Sequence, residues 1–182
     1  MIRSFVSLSL LLFLLSGCAF TTPKPSSDDT KTRLTTLFSS LDSRIPKEES
    51  HRLAADIIRR SAALEQAFDR RGNPYLHNFL VNIGVKKKGL CYHFSDGLYF
   101  YLIQRHYPHF AFHLAGAHIG EYWREHNTLV VTAKGQPFEE GIVVDPWRKQ
   151  GQVFVSRLKD DRAYVWKHRK WREVRKVSRS CR

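Results

Sequence analysis

The chain has 182 residues, with 30 Lys and Arg against 17 Asp and Glu, for a formal net charge of +13. That length suits one ordinary domain with short extensions and is enough to bury a core. There is no internal repeat and no dinucleotide or P-loop glycine pattern, which sets aside repeat architectures and the common nucleotide-binding motifs.

In chain order, Arg3 supplies a positive start, Val6 to Leu15 form a short leucine-rich run, and Leu15-Ser16-Gly17-Cys18 follows. The run is shorter than the ~20 residues a membrane-spanning helix needs. Leu-Ser-Gly-Cys resembles the lipobox of bacterial lipoproteins, which implies acylation of Cys18 and a membrane attachment through it. With Ala19 rather than an aspartate next, the resemblance implies sorting to the outer membrane, facing the periplasm. Residues 1–17 are therefore expected to be a signal peptide, 18–44 a lipidated cysteine and flexible tether, 45–160 the folded domain, and 161–182 a basic, aromatic-containing tail.

Ser50 to Arg71 has helical spacing, with Leu53, Ile57, Leu64 and Phe68 on one face. Gly72-Asn73-Pro74 ends it, and Pro74 to Ile83 is expected to be a short second helix stopping at Gly84. After the basic loop Val85 to Gly89, Cys91 to His106 resumes helical spacing through Phe94, Leu98, Tyr101 and Leu102. Beyond Pro108 the pattern turns strand-like at Phe110 to Leu114, Thr128 to Thr132, Gly141 to Val144 and Gln152 to Val155. Pro146 is expected to stop the third of these strands. Helices first and strands afterwards indicate an α+β domain with an antiparallel sheet.

Three residues carry chemistry. Cys91 opens a helix, where free N–H groups and the helix dipole favour thiolate, and the Gly89-Leu90 amides could face a substrate carbonyl. His126 opens a strand and Asp145 ends one, so neighbouring antiparallel strands could set imidazole beside carboxylate. This order of cysteine, histidine and a strand ending Val143-Val144-Asp145-Pro146-Trp147 resembles the transglutaminase-like branch of the papain-like fold, over roughly residues 75–156. The resemblance implies Cys91 as nucleophile, His126 as general base and acid, and Asp145 as the group orienting His126. It also implies an acyl-thioester intermediate released to water or an amine. Tyr92 stands where many relatives have tryptophan beside the cysteine, and Asn82 is the nearest upstream amide for an oxyanion side chain. Trp147 is a core tryptophan or a shield for the His126–Asp145 pair.

Other readings compete. Cys91 and Cys181 could form a disulfide in an oxidising compartment. His113 and His118 are rival partners for Cys91, and Asp96 is expected to face solvent or a local salt bridge. The nine histidines make no His-x-x-x-His or Cys-x-x-Cys ligand pattern, so neither a metal nor another cofactor is expected. Expected partners are envelope peptides or proteins, including peptidoglycan stem peptides, with the basic tail on anionic lipid or polymer rather than nucleic acid. Hydrolysis is favoured over cross-linking, since water is always present. A non-catalytic envelope scaffold that keeps the fold is the alternative of a different class.

Overall fold

The computed structural model describes residues 27–70, 72–149 and 152–173. Four helices come first: α1 (Ser27–Ser39), α2 (Lys47–Ala67), α3 (Pro74–Asn82) and α4 (Cys91–Ile103). Five strands follow: β1 (Phe110–Ala117), β2 (His126–Ala133), β3 (Ile142–Lys149), β4 (Gln152–Arg157) and β5 (Lys167–His168). They form one antiparallel sheet in the order β4-β3-β2-β1-β5. The chain is thus α+β, as the switch from helical to alternating spacing predicts.

The helices build one side of the sheet. Leu34 and Phe38 of α1, Leu53 and Ile57 of α2, and Phe94, Leu98 and Leu102 of α4 are fully buried at three- and four-residue steps. They meet Phe110, Leu114, Leu129, Val131, Ile142 and Val144, the strand positions that alternate onto the same face. The opposite face carries a smaller cluster of Ala115, Ala117, Val130, Phe138, Val143 and Trp166.

The ordered body is longer than the expected domain at both ends. Helix α1 lies within the segment expected to be a tether, because Asp28 and Asp29 favour its first turn and Leu34 and Phe38 give it a face to bury. The expected tail also contributes, since β5 pairs Lys167 and His168 with Gly116 and Ala115 of β1. Pro46 rather than Ser50 marks the entry to α2, and Asn73 caps α3 by accepting from Tyr75 N at 2.8 Å. Pro146 does not end β3. The β3–β4 register shifts between Asp145 and Lys149, and the proline sits in that irregularity, where a missing ladder donor is tolerated. Buried Arg70 holds this stretch by donating to the carbonyls of Pro146 and Trp147, both at 3.2 Å. Among the described residues no helix is long and apolar enough to cross a membrane.

Candidate active site

Cys91 is the first residue of α4, and the turn before it is built around Gly89. That glycine has φ +116°, and a Cβ there would lie 2.1 Å from His77 Nε2. Only glycine satisfies both demands. His77 is buried beneath the turn and its Nε2 meets the Lys88 carbonyl at 2.9 Å. The amides of Gly89 and Leu90 donate to His93 Nδ1 at 3.2 and 3.1 Å. They cap the helix and do not face a substrate, contrary to the expectation above. The amide of Cys91 itself, at the first helical position, is among the first-turn amides that have no intrahelical acceptor.

His126 and Asp145 meet where two strands part. The β2–β3 ladder pairs Leu129 to Val131 with Val144 to Ile142 and goes no further toward His126. Past it the strands are bridged by side chains. Thr128 Oγ1 donates to the Val144 carbonyl at 2.9 Å, and His126 Nε2 meets Asp145 Oδ2 at 2.6 Å. Asp145 Oδ1 accepts from the amides of Trp147 and Arg148 at 3.0 and 3.1 Å, and the Arg148 guanidinium lies 3.3 Å from Oδ2. His126 is 3% and Asp145 1% exposed.

Burial pulls His126 down, yet the Asp145 carboxylate bonded to it, with a smaller contribution from the Cys91 side chain, raises it to about 9. Burial likewise pushes Asp145 up, but His126 and Arg148 outweigh it and hold the carboxyl below its usual range. Because Nε2 is committed to Asp145, Nδ1 is the ring nitrogen left for the thiol. Trp147, Tyr164 and Trp166 wall the imidazole, with ring centroids at 4.9, 4.7 and 5.5 Å. Trp147 is therefore both buried and a shield for the pair.

Cys91 and His126 border one cleft of about 190 Å³, together with Tyr75, Asn78, His118 and Trp123 among others, and Asp145 is buried behind His126. Asn82 is not part of it; it is exposed at the end of α3. Asn78, one turn earlier on that helix, borders the cleft, and its carboxamide oxygen is buried without a partner. His118 stands at the rim but pairs with Glu121 at 3.3 Å. His113 faces the other way, bonding Thr132 Oγ1 at 3.0 Å. Together His113, His168 and Glu173 are the one group among the described residues whose ligand atoms could gather on a metal. Their polar atoms already have protein partners: Thr132 for His113, and both His168 and the Leu114 amide for Glu173. Cys91 is a free thiol; Cys18, Cys181 and the basic residues from 174 onward lie outside the described residues.

The residues that sequence reasoning missed come mostly from the expected tail. Asp161 accepts from Arg148 at 3.0 and 2.7 Å and from Trp166 Nε1 at 2.9 Å, so it fixes the guanidinium that touches Asp145. Asn127 Oδ1 accepts from Arg169 at 2.6 Å and from Arg172 at 2.7 Å, which leaves its NH2 facing Cys91 Sγ at 3.9 Å. Arg172 also holds Asp96 with two 3.0 Å bonds, and Arg169 holds Glu125 at 2.6 Å. Asp96 is thus a salt-bridge partner, but of a residue far along the chain. The one available clue was the run of arginines itself; no local pattern says which carboxylates they meet.

A buried imidazole bonded to a carboxylate on one nitrogen, bordering the same cleft as a thiol, can keep a proton and hand it on. The cleft beside it admits a carbonyl group. Comparison of the chain with protein-family models, curated proteins and solved structures returned no match.

Proposed function

We propose that the protein is a thiol-dependent amide hydrolase or acyl-transfer enzyme of the transglutaminase-like kind, acting on envelope peptides or proteins from a lipid anchor at Cys18. The observation that carries this reading is the His126 imidazole, buried, 2.6 Å from Asp145 and bordering the same cleft as the helix-start Cys91. The chain order of Cys91, His126 and Asp145 and the helices-then-antiparallel-sheet layout support the same reading.

In this mechanism His126 takes the thiol proton as general base when the sulfur attacks, and Asp145 holds the resulting imidazolium. Cys91 sulfur attacks the carbonyl carbon, forming a C–S bond, and in this reading the Cys91 amide and the NH2 of Asn78, which borders the cleft, donate to the developing oxyanion. The tetrahedral species collapses, the C–N bond breaks, and the leaving amine takes the proton from His126. Water, deprotonated by His126, then cleaves the thioester and frees the acid and the thiol; an amine in place of water yields transfer. The aromatic wall of Trp147, Tyr164 and Trp166 keeps the imidazolium–carboxylate pair away from solvent.

The test is the alkylation rate of Cys91 against pH in a Cys181→Ser background. Rapid labelling at neutral pH that falls roughly 10²-fold or more in His126→Ala is expected. Labelling that is slow, rises only near an ordinary thiol pKa of about 8.5 and ignores His126→Ala would leave a non-catalytic scaffold as the better account.

A further inference from the structure

Helix α3 is built unlike the others. Its one fully buried side chain is His77, while Tyr75, Leu76, Phe79 and then Ile83, three and four residues apart, form an outward stripe, each more than half exposed. Val85 continues it, and Lys86-Lys87-Lys88 follows at once. Lys86 reaches Asp69 at 3.1 Å; Lys87 and Lys88 are exposed. Across the cleft the loop between β1 and β2 lifts Tyr122 and Trp123 into solvent, 76% and 74% exposed. Glu121 on that loop is balanced by Arg124 at 2.8 Å. Tyr75 and Trp123 both border the cleft that holds Cys91, so stripe and loop are two lips of one mouth.

Scattered apolar residues on a surface need no explanation, but a contiguous stripe does. We propose that this mouth rests on an anionic phospholipid bilayer. Tyr and Trp favour the headgroup boundary, an apolar helix face gains free energy by entering it, and adjacent lysines meet anionic headgroups. The place where the chain enters the body agrees. Asp29, Thr30 and Arg33 of α1 border a crevice with Lys149, Gln152 and Phe154, at the end of the β3–β4 hairpin. Trp147, two residues before Lys149, borders the Cys91 cleft and packs edge-on against Tyr75 at 5.8 Å. Cys18 and Ser27 are nine residues apart, a reach of at most about 30 Å. With Cys18 as the lipid attachment proposed above, the anchor lies within that reach of the start of α1. The thiol then faces substrates carried at the membrane surface, a consequence that rests on the enzymatic reading; the docking itself does not.

The experiment uses the mature chain expected from the signal sequence, residues 18–182 with Cys18→Ser, which cannot be acylated, and sedimentation with vesicles of phosphatidylcholine alone or mixed with phosphatidylglycerol. Stronger binding to the anionic vesicles is expected, falling about tenfold or more in Phe79→Glu/Trp123→Glu; both residues are exposed, so the melting temperature should hold. Chain-brominated lipids should quench tryptophan fluorescence in the parent and much less in Trp123→Phe. Cys91→Ser should bind like the parent, so a failure of the enzymatic reading leaves this one standing. Equal vesicle binding by parent and double variant, or quenching indifferent to Trp123, would overturn the proposal. So would unchanged vesicle binding with loss of binding to an apolar peptide, which would make the lips a polypeptide site.

Discussion

The two faces of the sheet are held by different physics. On the helix side, Leu, Ile and Phe from α1, α2 and α4 form the larger apolar cluster, with buried Ser50, Asp56 and Ser61 of α2 at its margins, and burial of apolar area supplies most of the stability. On the other side the apolar cluster is small, and the covering segment after β4 is fastened by charge: Arg148 to Asp145 and Asp161, Arg169 to Glu125, Arg172 to Asp96. Apolar packing is tolerant of direction, whereas a bonded guanidinium fixes one atom against another. The first face therefore keeps the molecule folded, and the second aims the groups around Cys91.

That division can be broken from either side. Leu53→Ala is expected to cost about 2–5 kcal/mol in denaturant unfolding while changing the alkylation rate of the folded protein less than about twofold. Arg148→Ala removes the cation between two buried carboxylates; a loss of about 3 kcal/mol is expected, together with slower alkylation of Cys91. A core variant that slows the thiol as much as Arg148→Ala does would erase the distinction.

The pH dependence sharpens it. His126 is held at about 9 against an ordinary 6.5. Its contribution to stability is therefore fully present below about pH 6.5 and is lost as pH rises through about 9. Asp145, held low, contributes above the ordinary carboxylate range and loses that contribution as pH falls through its lowered value. Unfolding free energies on both sides of each window, in the parent and in His126→Ala, should show the alkaline loss vanish with the imidazole. The smallest expected effect is Arg172→Ala, about 1–2 kcal/mol in stability. It should also slow alkylation at neutral pH as Asn127 loses one of its two anchors, with part of the rate restored in Arg172→Lys.

Much of this was legible in the residues. Helix-start Cys91 follows from Gly89 and the spacing of Phe94, Leu98 and Leu102; the strand beginning at His126 follows from β-branched Thr128, Val130 and Val131. Short-range pattern suffices for both. Helix α1 was not legible, because Pro23 and Pro25 with a polar run read as linker, and Leu34 and Phe38 acquire meaning only from the partners they bury against. Asn78 was passed over for Asn82, which is nearer Cys91 in sequence but on the exposed side of α3. The guanidinium contacts were hidden for a different reason. Charge along a chain shows how many cations there are and not which acceptor each one finds.

The separation of those partners has a consequence for how the protein is made. Asp96 and Arg172 are 76 positions apart, and Tyr164 and Trp166 also arrive long after the thiol has left the ribosome. A nascent chain that has completed α4 and β1 to β4 carries Cys91 with only Trp147 of the wall around His126 and without the arginines on Asn127. Chain order thus sets the sequence of assembly, and the sulfur gains its full surroundings only when residues near 172 have joined the fold.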